Sequence, residues 1–78
     1  MIDLQNINQN DWTQTRISIL GAGKSGIAAA NLGQYWGSEL FISDNNDSPE
    51  IMKNIGEYNC EVGGHSRKVL EADLIIIS

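Results

Sequence analysis

Cysteine, histidine and positive charge are all scarce in this chain of 78 residues. It has one Cys, one His and five Lys or Arg. The lone Cys60 cannot close an internal disulfide, and no Cys/His cluster offers a zinc-ligand spacing. It reads as a partly buried thiol of a reducing compartment. Ten acids against five bases give a net charge of −5. That balance argues against a nucleic-acid backbone or an anionic membrane surface as partner, since both call for clustered Lys and Arg. Long apolar runs are missing as well, none approaching the roughly 20 residues that span a bilayer. The opening MIDLQNINQNDW has neither a basic start nor an apolar centre, so it does not read as a signal peptide, and the expected location is the cytoplasm. His65 has no partner at metal spacing and reads as a surface or loop-bonding residue. Asp47, Glu50, Glu57 and Glu61 read as a solvated surface, no acid pair suggests a general acid and base, and no catalytic residue is assigned.

A hydrophobic content of 41% suits one small globular α/β domain. Residues 1–14, rich in Asn and Gln, read as a polar leader, with Ile2, Leu4, Ile7 or Trp12 as candidate anchors onto the domain at 15–78. Arg16–Leu20 reads as a strand covered on both faces. Ser25–Trp36 reads as a helix with an apolar stripe of Ile27, Ala28, Leu32, Tyr35 and Trp36, ended by Gly37 and weakened by Gly33. Glu39–Ser43 is a second strand, and Ser48-Pro49-Glu50 opens a second helix that runs to about Gly56. Cys60–Val62 is a short third strand, Ser66–Glu71 one or two helical turns, and Leu74–Ile77 a fourth strand. The order β-α-β-α-β-α-β predicts a Rossmann-like parallel sheet of about four strands with right-handed crossovers.

The segment Gly21-Ala22-Gly23-Lys24-Ser25-Gly26 carries the chemistry. It matches G-x-G-x-x-G, follows a strand and opens a helix, and Asp44 lies 18 residues after Gly26. Amides at a helix start have no partner within the helix and carry partial positive charge, so a diphosphate can sit there without a catalytic side chain. Lys24 reads as a cation beside that diphosphate or as a solvated lysine. Ser25 reads as a hydroxyl donor to phosphate or as part of the helix start. Asp44, at the carboxyl edge of the second strand, suits ribose hydroxyls or a base N–H, or a turn that bonds its own backbone. Asn45 and Asn46 are weaker candidates for the same pocket. A P-loop reading of Gly23-Lys24-Ser25 fails, because Ser18 stands where the first glycine should be and lies inside the strand.

GAGKSG at 21–26, ISDNN at 42–46, GGHS at 63–66 and EADLIIIS at 71–78 together resemble the N-terminal domain of the Mur ligases. Within that family the pattern looks most like members that add D-glutamate to UDP-N-acetylmuramoyl-L-alanine in peptidoglycan synthesis. The resemblance implies a domain that holds the UDP end of that substrate. The glycine turn, Lys24 and Ser25 would approach the diphosphate and uridine, with Asp44, Asn45 and Asn46 at the uridine. Family members often carry Thr-Arg where this chain has Asn45 and Asn46, and asparagine supplies no cation. A Pro-Gly pair normally follows the serine matching Ser78. The resemblance therefore implies a domain cut short at its C-terminal end and inert alone. No cofactor is expected in this chain, and ATP and Mg2+ are expected in a further central domain. The full-length ligase is expected to be monomeric, and the fragment to self-associate through the exposed edge at Leu74–Ile77. Two other readings stay open on glycine spacing and Asp44 alone. One is an NAD-binding Rossmann domain of a dehydrogenase or nucleotide-sensing regulator, and the other a small structural protein with a vestigial turn.

Overall fold

The computed structural model describes residues 12–78. Strands β1 (Arg16–Leu20), β2 (Glu39–Asp44), β3 (Cys60–Val62) and β4 (Leu74–Ile77) form one all-parallel sheet in the order β3-β2-β1-β4. Helix α1 (Lys24–Tyr35) links β1 to β2, and α2 (Pro49–Ile55) links β2 to β3. The third crossover holds only a 3-10 turn, Arg67–Leu70. Its entry is fixed by the Ser66 hydroxyl, which accepts from the Lys68 amide at 3.2 Å. Four residues close one tight turn there and no α-helix forms.

Register fixes the two faces of the sheet, because side chains alternate along each strand. Ile17 pairs with Leu40 and Leu74, and Ile19 with Ile42 and Ile76. These residues face α1 and α2 and form the core with Ile55. Ile19 and Ile42 are fully buried, each worth about 1.5–3 kcal/mol relative to an exposed position. The opposite face carries Ser18, Phe41 and Ile75 in one row and Leu20, Ser43, Glu61 and Ile77 in the next. Among the described residues, the connection between β3 and β4 sets just one short turn, with the buried Val69, against it. Hence β4 leaves Ile77 79% exposed, and Leu70 is 72% exposed beside that face.

The apolar stripe expected on the first helix packs only in part: Ile27 and Trp36 lie against the core, and the rest does not. Leu32 and Tyr35 are exposed, as is Ala28, while Gly26, Ala30 and Gly33 are buried. A Cβ on Gly33 would stand 3.2 Å from Leu40 Cδ1 and 3.3 Å from Ile17 Cδ1. The helix lies so close to the sheet that only small residues fit between them, and the sheet supplies the bulk of that layer. Gly33, which costs about 1 kcal/mol of helix propensity, suits this close packing, since a Cβ there would press on Leu40 and Ile17.

The described part of the leader is a 3-10 turn, Trp12–Gln14. Trp12 stacks on Trp36 at the end of α1, ring centroids 4.7 Å apart. Its carbonyl accepts from the Ser38 hydroxyl at 2.6 Å. The candidate anchors Ile2, Leu4 and Ile7 lie outside the described residues. Helix α2 starts as its sequence predicts, with the Ser48 hydroxyl accepting from the Ile51 amide at 3.3 Å and Pro49 in the first turn. Tyr58, just past α2, reaches back to α1, where its hydroxyl donates to Asn31 Oδ1 at 2.6 Å with Gln34 Oε1 at 3.1 Å. Partial burial pushes that phenol up from its ordinary pKa.

Candidate functional site

In the strand order β3-β2-β1-β4, the crossovers after β1 run to one side and the last crossover returns to the other. The carboxyl ends of β1 and β4 therefore flank the point where an open α/β sheet reverses direction, the usual ligand crevice of such sheets. Gly21, Ala22 and Gly23 turn the chain at that point.

The three glycines of the motif are glycines for three different reasons. Gly21 has φ +106°, a conformation that side chains resist, and a Cβ there would meet Ser78 Oγ at 2.8 Å. Gly26 lies against the turn, so that a Cβ would fall on the Gly21 carbonyl oxygen and 2.9 Å from Ser78 Oγ. Gly23 has an ordinary extended backbone, φ −74° and ψ −171°, and a Cβ there would meet nothing within 4 Å. Neither conformation nor packing within the described residues demands a glycine at 23. Gly23 is also the N-cap of α1, and no side chain caps that turn. Lys24 and Ser25 follow it, both exposed. The first amides of α1 thus stand beside a position where a Cβ would have no neighbour within 4 Å.

Asp44 is brought directly against the turn. Its Oδ2 accepts from the Ala22 amide at 2.7 Å and its Oδ1 from the Asn46 amide at 2.8 Å. It therefore bonds its own loop, one of the two uses its sequence allowed, and also spans 22 residues to the glycine turn. Each oxygen keeps further acceptor capacity. Asn46 is exposed and is built into the loop, its Oδ1 accepting from the Ser48 amide at 2.9 Å. Asn45 is exposed beside it. The Gly21 amide donates to the Ser43 carbonyl at 2.8 Å, and Ser78 Oγ lies 3.2 Å from the carbonyls of both Leu20 and Gly21.

Two features of this rim were missed in the sequence. Asn54 of α2 donates through Nδ2 to the Ala22 carbonyl at 3.2 Å. Glu61, read as solvated surface, instead joins a cluster under the Gly63-Gly64 loop. Its Oε2 accepts from the buried Ser43 hydroxyl at 2.8 Å and from the Ser66 amide at 2.7 Å. His65 Nδ1 also meets Ser43 Oγ. With the Ser43 proton given to Glu61, His65 is the donor to that oxygen, a loop-bonding role rather than activation of a nucleophile. Ser66, chiefly through its main-chain amide, holds the Glu61 carboxyl below the ordinary range. Only the spacing of four between Glu61 and His65 hinted at this cluster. A separate hollow of about 320 Å³ lies at the amino end of the strands, lined by Arg16, Phe41 and Lys68 among others.

Among the described residues no group of three or more His, Cys, Asp or Glu could hold a metal ion. No helix among them is long and apolar enough to cross a membrane.

No family model matches the sequence, and no solved structure matches it. Curated relatives do. The chain is 44% identical over 71 residues, 87% of its length, to a UDP-N-acetylmuramoylalanine--D-glutamate ligase of Pelodictyon phaeoclathratiforme. It is 39% identical over 66 residues, 80% of its length, to the enzyme of the same name in Chlorobaculum parvum. A third relative of that name, from Lawsonia intracellularis, is 38% identical over 76 residues, 90% of the chain. The matched regions cover 15%, 14% and 17% of those relatives, so the chain spans about one sixth of their length. Similarity of 33–44% to eight relatives that all bear one name places the chain in the UDP-N-acetylmuramoylalanine--D-glutamate ligase family, where it corresponds to the N-terminal part.

Proposed function

We propose that this chain is the UDP-docking portion of an ATP-dependent ligase that adds D-glutamate to UDP-N-acetylmuramoyl-L-alanine in peptidoglycan synthesis, in the cytoplasm. The relatives' shared name supports the reaction. The observation that carries the docking role is Gly23, whose missing side chain neither backbone strain nor packing among the described residues requires, set at the switch point beside uncapped helix amides. In this reading the amides of Gly23, Lys24 and Ser25 grip the diphosphate, the Lys24 ammonium adds a cation, and the Ser25 hydroxyl donates to a phosphate oxygen. Asp44 faces the uridine portion, with Asn45 and Asn46 next to it. The overall charge of −5 opposes a dianionic ligand, so local amides must supply the attraction. The glycine turn does not fit the triphosphate cradle of a P-loop, since Ser18 occupies the place of its first glycine. ATP, Mg2+ and the amide-forming step belong to other parts of the longer protein.

The test is a titration of the 15N-labelled chain with UDP, UDP-N-acetylmuramoyl-L-alanine, NAD and ATP. The two uridine nucleotides are expected to shift the amide resonances of Gly21–Gly26 and of Asp44. A response to NAD alone would replace this reading with that of a dinucleotide-binding domain.

A further inference from the structure

We infer that Asn54 is a positioning residue that aims the Gly23 amide into the diphosphate cradle; the inference rests on the docking role proposed above. Ala22 sits at the middle of the turn and is fully buried. Both of its main-chain polar groups are held by side chains from elsewhere in the fold. Its N–H donates to Asp44 Oδ2 at 2.7 Å, and its C=O accepts from Asn54 Nδ2 at 3.2 Å. The acceptor is a carbonyl, so the asparagine must present its NH2 group there and the orientation of the amide is unambiguous.

The Ala22 C=O and the Gly23 N–H belong to one planar peptide group. No peptide among the described residues is cis, so the C=O and N–H bonds point in opposite directions. A carbonyl tied to Asn54 on α2 therefore turns the Gly23 N–H away from α2. Around Gly23 itself there is room for a ligand, since a Cβ there would meet nothing within 4 Å. Asn54 sets the direction of the first donor of the cradle without touching the ligand.

Gly23 also makes this restraint necessary. Glycine populates φ of either sign, so the Ala22–Gly23 peptide can rotate at little steric cost. The rotated form would present the Ala22 carbonyl oxygen, a partial negative charge, where the diphosphate is to bind. Asp44 does not prevent that rotation, because it holds the preceding peptide. Asn54 alone among the described side chains bonds the group that would turn.

The variants Asn54→Ala and Asn54→Leu remove the donor, the second with little change of volume. The probes are UDP and uridine, with affinities measured by calorimetry and the Ala22 carbonyl 13C and Gly23 amide 15N resonances followed in the 78-residue chain. Both variants are expected to weaken UDP roughly 2- to 12-fold, the range set by one net hydrogen bond. Uridine affinity, which needs no diphosphate contact, stays at the wild-type value. The Ala22 carbonyl resonance moves upfield as its acceptor bond is lost, and the Gly23 amide resonance moves with it. A wild-type UDP-to-uridine affinity ratio, or unmoved Ala22 and Gly23 resonances in a folded variant, overturns the inference. Failure of the wild-type chain to bind UDP sinks the docking role instead, and the two resonances still report whether Asn54 sets the peptide.

Discussion

Alanine at each glycine of the turn separates what the fold needs from what a ligand needs. Gly23→Ala places a methyl group at φ −74° and ψ −171°, within the region open to every residue, with no atom inside 4 Å. Two small opposing effects act on stability. Alanine is a poorer N-cap than glycine, costing about 0.5–1 kcal/mol. Losing glycine's freedom in the unfolded chain returns about 0.4–1 kcal/mol. The net change is within about 0.5 kcal/mol, or roughly 4 °C in melting temperature for a domain of this size. Gly26→Ala puts its Cβ onto the Gly21 carbonyl oxygen, a backbone atom that cannot swing aside. A clash of that kind costs at least about 1–3 kcal/mol and displaces α1 from the turn. Gly21→Ala adds an unfavourable φ of +106° to a 2.8 Å approach to Ser78 Oγ. Thermal unfolding is therefore expected to rank Gly23→Ala beside the wild type and both others well below it. UDP affinity, by calorimetry, is expected to show the opposite for residue 23. Its methyl stands in the space beside the amides and is expected to weaken UDP by about tenfold or more, the loss of about 1.4 kcal/mol that one displaced phosphate contact brings. A Gly23→Ala chain that keeps both its melting temperature and its UDP affinity would refute the cradle.

Three further outcomes follow from the same geometry. Asp44→Ala leaves the buried Ala22 amide without an acceptor and is expected to cost about 1–3 kcal/mol, while Asp44→Asn keeps one acceptor and costs less; urea denaturation ranks the two, and equal stability of Asp44→Ala and wild type would remove the tie. Glu61 is held below the ordinary carboxyl pKa by Ser66, so the unfolded chain takes up its proton first as the pH falls. Its contribution is complete above about pH 4.3 and is lost as the pH drops through the lower folded value; Glu61→Gln should flatten that acid limb of the stability curve, and curves that remain parallel there would contradict it. Ile77, exposed on an edge strand with no charge among its four residues, is expected to drive concentration-dependent association that Ile77→Lys abolishes; a single monomer at all concentrations by sedimentation would rule it out.

The sequence was most legible where local chemistry decides the outcome. β-branched runs mark the strands, Ser48-Pro49-Glu50 marks the start of α2, and the glycine turn lies where its pattern put it. It was least legible on α1, where burial follows proximity to the sheet rather than side-chain bulk. Leu32 and Tyr35 looked like core and are exposed, while Gly33 looked like a defect and lies buried in tight contact with the sheet. At the site, the spacing from Gly26 to Asp44 was readable because one crossover fixes it. The partners Asn54, Glu61 and Ser43 were not, because their contacts arise from the register of β2 against β3 and from the docking of α2.

The turn owes its shape to residues far along the chain: Asp44 at a separation of 22, Asn54 at 32 and Ser78 at 57. A peptide carrying only β1 and α1 would contain every glycine of the motif and none of these ties. Such a fragment would have to freeze the loop at its own entropic expense and would present a shifting set of dipoles. Under the proposed docking role, competence to recognise would therefore wait until β4 has closed against β1, and a nascent chain still missing β4 would be blind to pyrophosphate.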